Sequence, residues 1–458
     1  MQFETLFRPA RENPVSVALI GAGEFGMSLI AQSRRMQGLV VKAVADKDLD
    51  RVAETLKLMG IAARRCDSAA VGRAAVDAGE MAICGSVADL LSLPLDMVVE
   101  ATGDAEAGAR HALAAIEAGR GVTMVTKEAE CVVGPVLAAK ARAAGVPYTL
   151  VEGDQPALLI GLVSWARTLG LPIICAGKSS EYDYVYDPAT HEVTWTTERV
   201  SAPDIARLWA LGEDRAGMIA ARSKALAALP QRTVPDYCEM ALVANATGLV
   251  PDRPDFHTPL TRAIELPDLY RPKADGGLLD GEGRVDVFNC LRRPDEASFA
   301  GGVFVVVAWA DARSGALFRG KGIPTTADGK YGLVYNPSHL LGVEAPISIL
   351  AAARLGQSIL DERYRPVVDL TARAERDLPA GHKLEIVGTR HAVPGLEPAL
   401  TPATPVSGAA PLPYYMAVGR TLTRPVAAGS FITVDAVDAP ADSTLWRLRA
   451  EQDAMFGN

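Results

Sequence analysis

Residues 15–26 read Val-Ser-Val-Ala-Leu-Ile-Gly-Ala-Gly-Glu-Phe-Gly, an apolar run followed at once by the spacing G-x-G-x-x-G. The apolar run is typical of a buried strand, and the residues after the glycines favour a helix. In such a loop the first glycine permits a tight turn, the second admits a pyrophosphate close to the backbone, and the third lets helix and strand pack. The stretch therefore predicts a strand, a phosphate-binding loop and a helix whose N-terminus holds an anion.

An acidic residue in the next unit extends this prediction to a dinucleotide. Asp46 ends the following apolar run, twenty positions after Gly26, where a carboxylate binds the ribose hydroxyls. A carboxylate there repels a 2′-phosphate and favours NAD, whereas Lys47 and Arg51 would suit NADP, so both cofactors stay open. The predicted cofactor contacts are Gly21, Gly23, Glu24, Phe25, Gly26, Asp46, Thr102 and Gly103.

The pattern around this unit predicts an α/β fold with three domains. Up to residue 152, short aliphatic runs alternate with alanine-rich stretches, including a predicted helix at 136–144, which indicates a doubly wound parallel sheet of Rossmann type. Residues 153–362 form a predicted α+β substrate and oligomerisation domain with a strong strand at 302–310. We expect a small separate β-rich domain over residues 363–458, where an Ala-Gly turn between apolar residues occurs twice, at 378–384 and 426–432.

Composition points to a small-molecule partner. The chain has 458 residues, 49% of them hydrophobic, and its 46 basic and 55 acidic residues give a formal charge of −9. It has no basic run to bind nucleic acid, no membrane-spanning apolar stretch and no signal-peptide core, so we expect a cytoplasmic protein that binds neither nucleic acid nor membrane. The six cysteines lack metal-ligand spacing and are predicted to be buried thiols.

Charged residues after the predicted strands are the candidates for chemistry. Lys127 and Glu128 follow one strand, Glu152 and Asp154 follow the next, and Lys178 follows an apolar run at 172–177. We expect Lys127 and Lys178 to bind and polarise a substrate oxygen, and His339 or Asp154 to carry the proton. Further candidates are Glu128, Arg319 and Lys321 for substrate binding, and Glu152 and Asp154 if a divalent metal is needed. Solvated loop charges are the alternative interpretation of each, and the other histidines, His391 among them, stay unassigned.

Residues 15–169 resemble the cofactor domain of homoserine dehydrogenases. The resemblance rests on the glycine spacing from Gly21 to Gly26 and on Val125-Thr126-Lys127-Glu128, which matches that family's Asn-Lys segment with threonine for asparagine. In the family this lysine lies in the active site, which implies such a place for Lys127. Downstream, residues 174–180 depart from the family's Asn-Gly-Thr-Thr-Asn segment, so homoserine is not implied as the substrate.

Over nearly its whole length the chain is similar to a branch that joins a homoserine dehydrogenase-like body to a C-terminal SAF domain. Segments that carry this similarity are 176–178, 244–251, 275–277, 302–306, 320–322, 339–340 and 344–346. The branch contains the 1-deoxy-D-xylulose 5-phosphate reductoisomerase-like enzymes, which form methylerythritol phosphate with NADPH and a divalent metal. That pattern has a second lysine where this chain has Ser180, and it lacks Lys127.

Three functions follow as hypotheses. The first is NAD(P)-dependent hydride transfer between nicotinamide and a carbonyl or secondary alcohol of a small anionic, polyol-like substrate, in a homodimer or homotetramer. The second is the reductoisomerase-like reaction, which needs NADPH and a metal. The third, from another class, is a non-catalytic protein that senses NAD. Such a sensor would not need lysines near the nicotinamide, so this hypothesis is the least favoured.

Overall fold

A parallel sheet of seven strands forms the N-terminal part of the chain, and the computed structural model describes residues 2–457 in all. Its strands are β1 (Val15–Ile20), β2 (Leu39–Ala45), β3 (Ala63–Cys66), β4 (Met81–Cys84), β5 (Met97–Glu100), β6 (Gly121–Met124) and β7 (Tyr148–Leu150). They lie in the order β3-β4-β2-β1-β5-β6-β7. The strand order changes direction between β1 and β5, which is where parallel sheets of this kind open a nucleotide cleft.

The second sheet has eight strands and is organised around one long strand. Its members are β8 (Ile173–Asp187), β9 (Glu192–Trp195), β10 (Glu198–Ser201), β11 (Val250–Pro251), β12 (Leu260–Thr261), β13 (Arg284–Arg292), β14 (Val303–Ala308) and β15 (Tyr331–Asn336). β14 is antiparallel to both β8 and β15, and Val303 lies opposite Lys178 on one side and Asn336 on the other. The end of β15 therefore lies level with Lys178, with β14 between them.

The C-terminal module, residues 363–457, contains a short antiparallel pair, β16 (Val368–Ala374) and β17 (Leu396–Pro402). The two copies of the Ala-Gly turn pair with each other, because Leu378 and Val426 exchange both backbone hydrogen bonds at 2.9 Å. Gly381 and Gly429 have nearly equal φ values of +81° and +80°, a conformation that glycine adopts readily. The repeated Ala-Gly segment is thus a pair of turns with matching backbone conformation that are joined by the hydrogen bonds between Leu378 and Val426.

Helices cover both faces of the first sheet and join the three parts of the chain. They are α1 (Phe3–Leu6), α2 (Arg8–Glu12), α3 (Glu24–Ser33), α4 (Leu49–Leu58), α5 (Ala69–Asp77), α6 (Val87–Leu91), α7 (Ala105–Glu117), α8 (Lys127–Ala144), α9 (Gln155–Thr168), α10 (Asp204–Arg207), α11 (Arg215–Ala225), α12 (Val234–Thr247), α13 (Leu266–Leu269), α14 (Ala312–Gly320), α15 (Pro346–Leu355), α16 (Tyr414–Ala417) and α17 (Thr444–Phe456). Short 3-10 turns lie at Ala263–Glu265, Lys273–Asp275, Leu341–Val343 and Val434–Ala436.

The core of the first sheet has two sides that β1 separates. Val17 and Leu19 belong to a hydrophobic cluster with α3, α4 and Ile349 of α15, whereas Ala18 and Ile20 belong to the cluster with α7 and α8. This alternation confirms the predicted doubly wound α/β architecture, since both faces are buried. It also shows that α15, although it follows the second sheet in the chain, packs on the first. All six cysteines are buried as free thiols, as predicted.

The last helix of the C-terminal module, α17, packs against α7 and α8 of the first part. The side chain of Gln452 enters α8 beside Pro135, accepting from the amide of Val136 at 3.2 Å and donating to the carbonyl of Val132 at 3.0 Å. It thereby replaces the helical hydrogen bond between those two residues. Proline is tolerated inside α8, which runs from Lys127 rather than from the predicted residue 136.

Candidate active site

The loop between β1 and α3 has the geometry that its glycine spacing predicts. Gly21 has a φ of +92°, and a Cβ there would lie 2.4 Å from the carbonyl oxygen of Ala101. A Cβ on Gly26 would lie 2.7 Å from a Leu19 methyl group, because α3 packs directly on β1. A Cβ on Gly23 would meet no atom within 4 Å, so the loop leaves open space at this glycine alone of the three.

The N-terminus of α3 is suited to binding an anion. Gly23 is its N-cap and offers no capping side chain. The amides of the first turn, at Glu24, Phe25 and Gly26, therefore have no side-chain acceptor, and the positive end of the helix dipole lies at the same place. The open space at Gly23 and these amides fit the pyrophosphate of a dinucleotide.

Asp46 lies at the end of β2, where the sequence predicted a ribose ligand, but part of its hydrogen-bonding capacity is already used. Its carboxylate accepts from the amides of Ala22 at 2.7 Å and Asp48 at 2.9 Å, and from the guanidinium of Arg51 at 3.2 Å. Burial alone would raise the pKa of Asp46, but these amides and Arg51 lower it. Arg51 is 44% exposed, so a second group can still reach it beside the carboxylate.

These residues line one cavity of about 720 Å³ that follows the carboxyl ends of β2, β1 and β5. Gly21, Gly23, Asp46, Lys47, Arg51 and Thr102 all contribute to its wall. A space of this size and shape at the switch point of a parallel sheet is suited to an extended dinucleotide.

Thr102 and Gly103 lie at the far end of this cavity, after β5. The Thr102 hydroxyl donates to Glu100 Oε1 at 2.7 Å, and the Gly103 amide donates to Thr126 Oγ1 at 3.0 Å. Glu100 is fully buried, and its other oxygen has no partner among the described residues. His111 approaches the same Glu100 Oε1 at 3.2 Å, so Glu100 holds this loop by its first oxygen.

Lys127 is the first residue of α8 and lies beside this loop, because Gly103 contacts the preceding Thr126. Its Nζ lies 2.7 Å from Glu239 Oε1 and 3.2 Å from Asp154 Oδ2, and the side chain is 24% exposed. Burial alone would lower the pKa of Lys127, but Asp154 and Glu239 raise it well above its usual value. The amine is therefore held as a cation beside the Thr102–Gly103 loop.

Lys178 was predicted to point into the cleft, and this is wrong, because its side chain is only 1% exposed. Its amine donates to Gln155 Oε1 at 3.0 Å, to Asp236 Oδ1 at 2.8 Å and to Glu239 Oε2. All three ammonium protons are engaged, so none is left for a substrate. Lys178 instead neutralises the buried carboxylates of Asp236 and Glu239, and Glu239 also holds Lys127.

The carboxylates of this network respond differently to burial. The pKa of Glu239, buried but flanked by Lys127 and Lys178, is lowered to about 2 because the two cations outweigh desolvation. The pKa of Asp236 is raised, since desolvation outweighs its bonds to Lys178 and Ser180. Glu239 is thus the anion that joins the two lysines.

The proposed metal candidates Glu152 and Asp154 do not come together as ligands. Asp154 binds Lys127 and accepts from the Gln155 amide at 2.9 Å as the N-cap of α9. Burial and the nearby Glu344 raise the pKa of Glu152 to about 7. Within residues 2–457 no three His, Cys, Asp or Glu side chains are grouped so that they would hold a metal ion.

Glu128 lies on the other side of Lys127 and meets the C-terminal module. Its Oε1 is 3.5 Å from Nδ1 of His391, whose other neighbour is the Tyr415 hydroxyl at 3.2 Å. Burial raises the pKa of Glu128 to about 7, although Lys127 opposes the shift. Burial and the charge of Lys127 lower the pKa of His391.

His339 follows β15 and reaches the same end of the second sheet as Lys178. It packs on Gly301, where an added Cβ would lie 2.2 Å from its ring and 3.0 Å from Gln155 Nε2. Glu344, five residues further along the chain, accepts from the Leu340 amide through Oε2 at 2.9 Å.

Arg319 and Lys321 were predicted to close on the substrate, and their placement contradicts this. Both are exposed at the end of α14, which follows β14. Because β14 is antiparallel to β8, its first residue, Val303, lies opposite Lys178, whereas Val307 lies opposite Ile173, so the chain leaves β14 at the end farther from Lys178. Strand direction, which the sequence does not reveal, moves this loop away from the site.

Four residues of the site were missed by sequence reasoning: Glu100, Asp236, Glu239 and His391. Asp236 and Glu239 lie three residues apart in the otherwise apolar α12, and such carboxylates in a buried helix indicate an ion-pair network. His391 is separated from Glu128 by more than half the chain, and no local pattern marks it.

Comparison with known families decides the class of the protein. Residues 21–150 match the family model described as the NAD-binding domain of homoserine dehydrogenase, and residues 153–345 match the catalytic domain of oxidoreductase DRL. The chain is an NAD(P)-binding oxidoreductase. No curated protein matches this oxidoreductase. None of its helices in the described part is long and apolar enough to cross a bilayer.

Solved structures with a similar fold are distant from this oxidoreductase. DOX-P reductoisomerase in complex with magnesium is 18% identical, with a TM-score of 0.28, over 37% of this chain and 46% of its own. An oxidoreductase from Agrobacterium radiobacter in complex with NAD+, L-tartaric acid and magnesium is 17% identical, with a TM-score of 0.26, over 37% and 46%. A probable dehydrogenase from Thermotoga maritima is 12% identical, with a TM-score of 0.37, over 75% and 90%. The alignment therefore spans just under half the length of the first two structures.

Proposed function

We propose that this oxidoreductase transfers hydride reversibly between NAD and a carbonyl or secondary alcohol of a small anionic, polyol-like substrate, and that Lys127 binds the reacting oxygen. The observation that supports this is the place of Lys127, next to the Thr102–Gly103 loop where the dinucleotide cleft ends. A bound nicotinamide cofactor would supply or accept the hydride.

Lys127 is held so that one of its protons remains for a substrate. Its amine has three donors, of which Glu239 and Asp154 take two. The third can donate to a carbonyl oxygen, and the fixed positive charge stabilises the alkoxide that forms as hydride arrives. Since Asp154 and Glu239 keep the lysine charged, we assign it electrostatic stabilisation rather than proton transfer.

The cofactor proposal rests on Asp46. Its carboxylate lies in the wall of the cavity and disfavours a 2′-phosphate, so NAD is the proposed nucleotide. Arg51, which lies against Asp46 and is partly exposed, is the residue that would favour NADP instead.

The experiment is a comparison of two Lys127 variants with the parent enzyme. A panel of small oxo acids and ketose phosphates is screened for NADH and NADPH oxidation, and the best substrate is then used with Lys127→Met and Lys127→Arg. We expect kcat to fall by about 10²-fold or more for Lys127→Met and less for Lys127→Arg, with NADH affinity unchanged. An unchanged kcat would refute the role of Lys127, and absence of turnover with every panel member would refute the substrate class.

The reductoisomerase-like reaction is the second candidate, because residues 153–345 match the catalytic domain of oxidoreductase DRL. Its test is turnover of deoxyxylulose phosphate that requires both NADPH and a divalent metal and is blocked by a phosphonohydroxamate. The residues present offer it little support, since Lys127 already binds the Asp154 carboxylate that a metal would need. The match to a catalytic domain also favours either enzyme over a non-catalytic sensor.

A further inference from the structure

A cavity of about 210 Å³ lies where the C-terminal module meets the end of the cofactor cleft. One wall is the loop and helix start at Gly103 and Glu106, and the other comes from His391, Tyr415 and Arg420. Gly103 belongs to the loop beside Lys127, and Asp104 and Glu106 line both this cavity and the cofactor cavity, so the two spaces adjoin at this loop. Its size suits a molecule of a few carbon atoms.

The two walls are joined by specific bonds rather than by loose contact. Glu106 accepts from the Ser443 hydroxyl at 2.5 Å and from the amides of Thr444 at 2.8 Å and Leu445 at 3.2 Å, at the start of α17. Together with the insertion of Gln452 into α8, these bonds fix the C-terminal module against the cofactor domain. The cavity is therefore a formed part of the fold.

His391 is held in this cavity by contacts that orient its ring. Its backbone has a φ of +55°, a conformation that residues other than glycine rarely adopt. Nδ1 faces the Tyr415 hydroxyl and Glu128 Oε1, and the Tyr415 ring stands edge-on to the imidazole at 5.8 Å. With Nδ1 directed to these partners, Nε2 is the nitrogen left for another group, and the ring is 23% exposed.

We propose that the C-terminal module closes the substrate pocket of this enzyme and that His391 is the catalytic residue that exchanges a proton with the substrate oxygen. This inference rests on the proposed hydride transfer at Lys127. In the reducing direction a C–H bond forms from the hydride, the Nε2–H bond of His391 breaks, and the substrate oxygen takes that proton. In the same step Nδ1 takes the proton of the Glu128 carboxyl group, so the imidazole stays neutral and Glu128 becomes the carboxylate, and the reverse transfer serves oxidation.

The charges around His391 agree with this role. Lys127 opposes a charged imidazole, and burial gives Glu128 a pKa of about 7, so the Glu128–His391 pair can hold or release one proton near neutral pH. The other charged groups at the cavity are Asp104, Glu106, Arg420 and Asp442. Asp104 accepts from the Ala107 amide and Glu106 is bound to α17, whereas Arg420 makes no ion pair or side-chain hydrogen bond with any described residue. Arg420 therefore remains to attract the anionic end of a substrate.

The test uses oxalate, a small dianion that resembles a bound hydroxy acid, and the full-length enzyme saturated with NADH. Quenching of NADH fluorescence reports oxalate binding between pH 5.5 and pH 8.5 in the parent and in His391→Asn, because asparagine tolerates a positive φ. We expect oxalate to bind the parent with proton uptake, so that affinity falls as pH rises through about 7. In His391→Asn we expect affinity at the acidic end to be about tenfold or more weaker, with the pH dependence lost.

His191→Asn is the matched control, because His191 also has a φ of +55° and also meets a tyrosine hydroxyl, that of Tyr186, at 2.9 Å, but lies at the far end of β8. It should leave oxalate binding unchanged. Equal oxalate affinity and equal pH dependence in the parent and in His391→Asn would overturn the proposal, as would a parent that binds NADH but no oxalate. Failure of the proposed function is seen separately, as loss of NADH binding in the parent or as unchanged oxalate binding in Lys127→Met.

Discussion

The amine of Lys127, at the first residue of α8, lies 2.7 Å from Oε1 of Glu239 in α12. A lysine at a helix N-terminus is repelled by the positive end of the helix dipole, so it needs a nearby anion. Glu239 supplies that anion, and its second oxygen binds the buried Lys178. One carboxylate thus ties the cofactor domain to the second sheet at the point where chemistry is proposed.

Replacing Glu239 by glutamine should loosen Lys127 without disturbing the cofactor cleft. We expect kcat to fall by about tenfold or more, because the amine loses its closest charge-assisted bond, while NADH affinity stays unchanged. Steady-state kinetics with the best panel substrate and a fluorescence titration with NADH measure the two effects. Glu451→Gln, in the exposed part of α17, is the control, and an equal kcat in both variants would contradict the prediction.

Replacing Lys178 by methionine should destabilise the protein, most of all at neutral pH. Removal of one partner from a buried ion pair costs about 3–5 kcal/mol. Glu239 has a folded pKa near 2, below its unfolded value of about 4.3. The contribution of Glu239 to the free energy of unfolding is therefore complete above its unfolded pKa and is lost as pH falls toward 2.

In Lys178→Met the pKa of Glu239 should rise, so its ionisation contributes less to stability. The difference in unfolding free energy between the parent and the variant should therefore be largest at pH 7 and should shrink as pH falls. Urea unfolding between pH 4 and pH 7 measures the effect. Lys140→Met, which breaks the partly exposed pair with Glu451, should cost no more than about 1 kcal/mol. A Lys178→Met midpoint equal to that of Lys140→Met at every pH would show that the buried network does not stabilise the fold.

Gly23→Asp should abolish dinucleotide binding and leave the fold intact. A Cβ at Gly23 meets no atom within 4 Å, but the added carboxylate would face the pyrophosphate. Titrations with NADH and NADPH detect the loss, and circular dichroism checks the fold. Gly161→Asp, on an exposed position of α9 that is equally free of contacts, should bind both nucleotides normally. Unchanged affinity in Gly23→Asp would refute the assignment of this loop.

Asp46→Asn should shift the cofactor preference toward NADPH. The change removes the charge that repels a 2′-phosphate and releases Arg51, now 3.2 Å from the carboxylate, to bind it. We expect the ratio of the NADPH to NADH dissociation constants to fall by about tenfold or more. The control is Asp50→Asn, which changes an exposed carboxylate in α4, the helix that carries Arg51. An unchanged ratio would mean that Asp46 does not set the preference.

Gln452→Leu should weaken the attachment of the C-terminal module. The substitution leaves the Val136 amide and the Val132 carbonyl unpaired inside the protein, at a cost of about 1–3 kcal/mol. Thermal unfolding measures it. Arg447→Ala, which removes an exposed ion pair with Glu451 on the same helix, should change stability by less than about 1 kcal/mol. Identical melting temperatures for the two variants would contradict the role of Gln452.

Local patterns were enough to predict the cofactor half of the site. The glycine spacing, the apolar strand before it and Asp46 at the end of β2 all act within a single βαβ unit, so their geometry follows from short-range rules. The strand β3 was not predicted, since Arg64 and Arg65 interrupt its apolar pattern, and β4, its neighbour in the sheet, was not predicted either.

The sequence by itself determined the α/β class, the dinucleotide loop and the lysine at the start of α8, because these depend on residue spacing and on strand ends. Only the tertiary structure decided that Lys178 is buried against Glu239, that Arg319 and Lys321 follow the end of β14 farther from Lys178, and that His391 faces Glu128. Those outcomes depend on the direction of β14 and on how the C-terminal module docks on α8. Strand direction and domain docking are set by packing between distant segments, which leaves no local pattern in the chain.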